Sequence, residues 1–310
     1  MLHLNRILVI RGGAIGDFIL TLPALKALRD GSPETHIEIL GYKHVAALAE
    51  GRFYAQAVRS IEYGPLSSFF ARDSDLSPEL ADYFASFDLI VSYLYDPDRI
   101  FEANLRRCGT RQIRLGPAKI GKEAPAARQL ARPIEELGFR VDDLAARIYP
   151  SREDRQMARE LLGHCGRPIV ALHPGSGGKN KNWPLECWID IGNYLLSSEN
   201  FAGSLLIVSG EADEDQVRQL ESIWDNSRVR FVRNLPLPQL AAVLQNAIFL
   251  GHDSGISHLS AAAGAHCILL FGPTDPAIWA PRNENVCVIR APNGEMSALG
   301  SETVRDALRF

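Results

Sequence analysis

The strongest constraint on this chain is an alternation that restarts halfway along it. Short, uniformly apolar segments such as Ile7-Leu8-Val9-Ile10 lead into a glycine-bearing turn and then a stretch with helical apolar spacing. A run that is apolar at every position, rather than every second one, suits a strand covered on both faces, as in a parallel sheet. In the first half the pattern predicts strands at 6–10, 36–40, 88–92 and 111–115, and helices at 18–28 and 42–50. Pro23 marks a break or restart of the first helix, since it lacks the N–H the ladder needs. In the second half a charged helix at 151–162 ends at the turn-forming residues 163–168. Strands then fall at 169–172, 204–208, 229–232, 247–250 and 267–271, and helices at 185–196, 213–224, 238–245 and 256–263. Two such β-α-β series give an α/β fold of two doubly wound domains. A length of 310 residues agrees with two cores of ordinary size. The division is expected within 150–167, giving domains at 1–155 and 156–310.

Composition narrows the function classes. A 46% apolar and 23% charged chain with net charge -4 has no global attraction for nucleic acid, and none is expected as a partner. No apolar run approaches the roughly 18 residues of a membrane span. The apolar run 7–10 is short and flanked by Arg6 and Arg11, so it reads as a strand and not as an export signal. The five cysteines are scattered without a C-x-x-C pair, as in a cytoplasmic protein with reduced thiols. Without H-E-x-x-H or paired cysteines, neither a protein-built metal site nor a bound cofactor is expected.

Ligands of open α/β sheets bind beyond the carboxyl ends of the strands, so the loops after strands carry the functional information. The first is R-G-G-A-I-G-D, residues 11–17. Asp17 stands where strand gives way to helix, where an acidic side chain caps the helix or meets a ligand. A dinucleotide fingerprint is excluded, because its first glycine would have to occupy the position of Arg11. The second loop is H-P-G-S-G-G-K-N-K-N-W-P, residues 173–184, in which Ser176, Lys179 and Lys181 sit among glycines. Ammonium groups and free N–H donors converging there suit a phosphate, although the loop lacks a Walker G-K-[ST]. Trp183 is equally suited to packing or to a ligand contact.

The third loop, S-G-E-A-D-E-D at 209–215, offers Glu211, Asp213 and Glu214 either as helix-start acids or as acceptors for ribose hydroxyls. In the fourth, Asp253-Ser254-Gly255 opens a helix whose first N–H groups and dipole form an anion site. F-G-P-T-D-P at 271–276 is a further turn-rich loop after a strand.

Taken in order, R-G-G-A-I-G-D-F-I-L-T-L-P-A, H-P-G-S-G-G-K-N-K-N-W-P, D-S-G-I-S-H-L-S-A-A and L-F-G-P-T-D-P resemble glycosyltransferase family 9, the ADP-heptose:lipopolysaccharide heptosyltransferases. The resemblance implies a GT-B fold, two facing Rossmann-like domains with a cleft between them. The N-terminal domain then holds the acceptor and the C-terminal domain the sugar nucleotide, and the extreme C-terminal helix packs back on the first domain. It implies Asp17 as the catalytic carboxylate and Lys181 as the phosphate-binding lysine. Ser176, Lys179, Glu211, Asp213, Asp253, Ser254, Gly255 and His258 fall on the donor side, and Arg11, Gly12 and Gly13 on the acceptor side. Gly12-Gly13-Ala14 departs from the hydroxyl residues common after the arginine in that family, which bears on the acceptor pocket.

The implied reaction is inverting and metal-independent heptosyl transfer from ADP-heptose to a saccharide or glycolipid such as the lipopolysaccharide inner core. A basic stretch from Arg99 to Lys122 suits contact with the inner face of a membrane, or a merely solvated surface. Transfer of another sugar, a non-catalytic nucleotide-sugar binder and a sugar-nucleotide epimerase are the competing expectations.

Overall fold

The computed structural model describes residues 4–210 and 214–308. The chain divides into two compact units, Met1–Leu144 and Ala145–Phe310. The first contains β1 (Arg6–Arg11), α1 (Ile15–Gly31), β2 (His36–Gly41), α2 (Lys43–Ala46), β3 (Ala57–Ser60), α3 (Pro78–Ala85), β4 (Leu89–Ser92), α4 (Ile100–Arg107), β5 (Ile113–Leu115) and α5 (Ala126–Glu135). Its sheet is parallel throughout, in the order β3-β2-β1-β4-β5. Leu8, Ile10, Leu40 and Ile90 from the strands pack against Phe69, Phe84 and Phe101. Burial on that scale contributes about 1.5–3 kcal/mol per large apolar side chain.

Helix α1 differs from its expected form in that it begins earlier and runs unbroken through Pro23. Every residue from Phe18 to Leu25 is buried, so packing on all sides offsets the ~3 kcal/mol cost of an interior proline. The helix expected at 42–50 shrinks to α2, and Glu50 instead pairs with Ala55 in an isolated bridge.

The second unit contains α6 (Arg152–Leu162), β6 (Ile169–His173), α7 (Leu185–Ser197), β7 (Ser204–Ser209), α8 (Glu214–Ile223), β8 (Val229–Arg233) and α9 (Leu237–Leu244). It continues with β9 (Ile248–His252), α10 (Gly255–Ala263), β10 (His266–Phe271), α11 (Pro276–Trp279), β11 (Val286–Arg290) and α12 (Ser301–Ala307). The parallel order is β11-β10-β9-β6-β7-β8. Ser151 caps α6 by accepting from Asp154 N at 3.1 Å, while Asp154 Oδ2 accepts from Ser151 N at 2.7 Å. Such a reciprocal box fixes a helix start.

The units divide at Leu144 and Ala145, earlier in the chain than the 155/156 division read from sequence. The intervening segment is tied into the second unit: Ile148 N donates to Ala262 O at 2.9 Å, and Asn283 Nδ2 to Ala146 O at 2.8 Å. Helix α12 belongs to the second unit, where Ser301 and Arg305 bond Asp190 of α7 and Val304 joins the core. Among the described residues no helix is long and apolar enough to cross a membrane.

Candidate functional site

In each sheet the strand order reverses beside the first strand of its unit, at β1/β4 and at β6/β9. Loops that leave in opposite directions at such a point open a crevice beyond the carboxyl ends of the strands.

In the first unit that crevice is a pocket of about 460 Å³ lined by Arg11, Gly13, Asp17, Tyr42, Tyr93 and Tyr95 among others. Asp17 lies in the first turn of α1, and its Oδ2 accepts from Ala14 N at 3.0 Å. Its Oδ1 faces Arg11 Nη2 at 3.6 Å, and the side chain keeps 37% of its surface exposed. The carboxylate therefore closes the helix start and remains open to the pocket. Arg11 is buried and donates to Asp17 O from Nε at 3.3 Å and Nη2 at 3.0 Å, and to Thr21 Oγ1 at 3.1 Å. Burial pulls its guanidinium below the ordinary value, against the opposite influence of Asp17 and Tyr93. Tyr93 lies under that guanidinium, 5.7 Å from the ring centroid, and donates its hydroxyl to Leu130 O at 2.9 Å.

In the second unit the loops after β6, β9 and β10 converge on Asp253. Its Oδ2 accepts from Lys181 Nζ at 2.7 Å and from Thr274 Oγ1 at 2.8 Å. His258 Nε2 lies 3.9 Å from Oδ1. Asp253 is nearly buried, at 9% side-chain exposure, whereas Lys181 keeps 30%. An ion pair in such a place needs its extra hydrogen bonds to repay desolvation, and Thr274 supplies one. Ser254 caps α10 by accepting from Ser257 N at 3.3 Å, so Gly255 is its first helical residue and the dipole's positive end opens beside the pair.

Behind this cluster, His252 Nε2 accepts from Trp183 N at 2.8 Å, pinning the lysine-bearing loop to the end of β9. Trp183 itself is a packing residue. It is buried, stacks edge-on with Trp188 at 5.4 Å and donates Nε1–H to Leu299 O at 2.8 Å.

Of the residues singled out in the sequence, Arg11, Gly12, Gly13 and Asp17 line one pocket. Lys181, Asp253, Ser254, Gly255 and His258 form one cluster. Ser176 turns back on its own loop and donates to Asn182 Oδ1 at 2.6 Å, and Lys179 is exposed on a short 3-10 turn. Glu211 and Asp213 lie outside the described residues, and Glu214 is described only as the start of α8. Of the basic stretch in the first unit, Arg99 and Arg106 pair with Glu102, and Arg111 with Asp88. Sequence reasoning missed Thr274, although it stands in the turn-rich F-G-P-T-D-P after β10, and Tyr93, whose signal was its position directly after β4. Among the described residues no group of three His, Cys, Asp or Glu side chains is placed to hold a metal ion.

The family pattern of glycosyltransferase family 9 (heptosyltransferase) matches residues 123–308. Lipopolysaccharide heptosyltransferase 1 of Escherichia coli O18:K1:H7 (strain RS218 / NMEC) is 25% identical over 326 aligned residues, covering 97% of this chain and 96% of the relative. The crystal structure of the glycosyl transferase family 9 protein from Veillonella parvula DSM 2008 is similar with a TM-score of 0.79 at 17% identity, covering 98% of this chain and 95% of that one. The E. coli heptosyltransferase WaaC, solved with ADP, gives a TM-score of 0.71 at 19% identity, covering 98% of both chains. These likenesses establish the fold as GT-B, with two parallel-sheet α/β domains. The chain belongs to glycosyltransferase family 9, the heptosyltransferases.

Proposed function

We propose that this protein transfers heptose from ADP-heptose to a saccharide of the lipopolysaccharide inner core, with inversion and without a metal ion. The observation that carries the reading is the Lys181–Asp253–Thr274 cluster seated beside the N-terminus of α10. An ammonium, a hydroxyl and the first N–H groups of a helix are the donors that a departing diphosphate requires. A family whose members include ADP-bound and lipopolysaccharide-directed heptosyltransferases adds the chemical identity of donor and acceptor.

In this reading the second unit binds the sugar nucleotide and the first binds the acceptor. Asp17 is the general base. An acceptor hydroxyl oxygen attacks the anomeric carbon of heptose while the bond from that carbon to the diphosphate oxygen breaks, and the hydroxyl proton passes to the Asp17 carboxylate. ADP leaves with the bonding electron pair. Lys181, Lys179, Ser254 and the amides at Gly255 meet the negative charge that develops, the task a divalent cation performs elsewhere. Asp253 orients Lys181, and His258 supports Asp253. Ser176 holds the loop, and Arg11, Gly12 and Gly13 shape the acceptor pocket around Asp17. Glu211 or Asp213 accepts from the ribose hydroxyls. The protein works in the cytoplasm and visits the inner face of the membrane, where a glycolipid acceptor is presented.

The test is product analysis with ADP-heptose and with UDP-sugars, using an inner-core saccharide lacking heptose as acceptor and excess chelator. The expected result is a heptosylated product and free ADP, a preference for ADP-heptose over UDP-sugars, and activity retained with chelator. Asp17→Asn is expected to lower kcat by about 10²–10⁴ with ADP affinity kept. Binding of ADP-heptose without turnover would instead favour a non-catalytic binder, and conversion of the donor without acceptor an epimerase.

A further inference from the structure

We infer that the second unit carries a separate anion-binding pocket, built for a phosphate ester and placed at the opposite end of the sheet from the Lys181–Asp253 cluster. The pocket has a volume of about 360 Å³ and is lined by Arg155 and Arg159 of α6, Arg167, Cys165, and Gln245 and Asn246 at the end of α9. Arg167 immediately precedes the Pro168 that leads into β6, and Asn246 lies two residues before β9. Lys181 and Asp253 follow those same two parallel strands, so a ligand in the pocket leaves the cluster free.

The lining is one-sided in charge. It holds three guanidinium groups, two amides and a thiol, and no carboxylate. Among the described residues none of the three arginines is in an ion pair; Arg159 Nη2 donates to the amide of Gln156 at 2.5 Å. In the first unit, by contrast, Arg99, Arg106 and Arg111 all meet an acid. Arg155 and Arg159 stand one helical turn apart, a spacing at which like charges destabilise a helix. The C-terminal dipole of α6 favours a cation in its last turn, which accounts for Arg159 but not for Arg155 or Arg167. Planar guanidinium groups are the usual partners of phosphate oxygens, binding them through two N–H donors at once. The pocket is large enough for a phosphate together with the group it esterifies. That chemistry is shared by a phosphorylated solute and by the headgroup of an anionic lipid.

The experiment compares the wild-type full chain with R155Q/R159Q/R167Q in two arms, after thermal melts have shown that both are folded. One arm measures sedimentation with phosphatidylcholine vesicles that contain or lack phosphatidylglycerol. The other measures calorimetric binding of glycerol 3-phosphate with ADP in excess. Because only the pocket differs between the two proteins, the comparison holds whether or not ADP binds. Loss of three cationic partners is expected to weaken binding by about tenfold or more at low salt. A difference confined to the vesicle arm assigns the pocket to a lipid headgroup, and a difference in the calorimetric arm assigns it to a soluble phosphate ester. Indistinguishable behaviour of the two proteins in both arms overturns the inference. If the triple variant is destabilised, Arg167→Gln alone, which alters no helix, is put through the same two arms with the same criteria.

Discussion

Gly13 and Asp17 are sterically coupled: a Cβ on Gly13 would lie 2.9 Å from Asp17 Oδ2, and Gly13 has φ +97°. Glycine is the only residue that adopts that backbone freely and also leaves the carboxylate in place. Gly13→Ala is therefore expected to displace Asp17 and to cost on the order of 1 kcal/mol or more through the strained φ. In transfer assays kcat should fall at least about tenfold with little change in the KM for ADP-heptose, since a small misplacement of a catalytic group is costly. Wild-type kinetics in this variant would show that the Asp17 carboxylate yields to the added methyl without loss of its position.

Lys181 and Asp253 should show non-additive behaviour. Lys181→Met leaves a nearly buried carboxylate with Thr274 as its remaining close hydrogen-bond donor, and is expected to destabilise the protein by about 1–3 kcal/mol. Adding Asp253→Asn removes that uncompensated charge and should recover most of the loss, while ADP affinity stays weak. Urea unfolding and ADP titration of the two single variants and the double variant read out both halves of the cycle.

The apolar strands of both sheets were legible from the sequence because burial on both faces leaves a continuous hydrophobic run, as in β1, β6 and β10. Strand β3 was not, since it is only partly covered along its length and carries Arg59; β11 was passed over although its run is as apolar as that of β8, an edge strand that was read. The glycine-bearing loops of the candidate site were legible because their spacing after strands is local information. Thr274 and Tyr93 reach it only through strand order, which periodicity does not encode. Pro23 misled for a related reason: its tolerance depends on tertiary packing around α1 and not on the local pattern.

Stability should decline at high pH. Burial raises the hydroxyl pKa of Tyr83 and of Tyr93 above their ordinary 10.0, and pushes the Cys267 thiol from 9.0 up to about 12. Each group is held neutral by the fold, so its contribution is complete below the unfolded value and is lost as pH rises toward the folded one. Chemical denaturation between about pH 8 and 11 should show ΔG falling mainly above pH 9. Tyr93→Phe should flatten that fall, at a fixed cost of about 1 kcal/mol for the lost bond to Leu130 O.

Cysteine reactivity should follow burial. Cys287 is exposed on β11, whereas Cys267 is buried on β10 with its thiol pKa raised. At pH 8 a thiol-modifying reagent is expected to label Cys287 quickly and Cys267 only on unfolding, as peptide mapping by mass spectrometry would reveal.

Because Asp253 already neutralises Lys181, that ammonium exerts little long-range pull on passing anions. On the proposed reading, inorganic phosphate would gain little there, and occupancy would depend on contacts that a complete nucleotide alone can make. The same pair would then let the lysine return to its carboxylate as the spent nucleotide leaves, so that no bare cation would slow its exit.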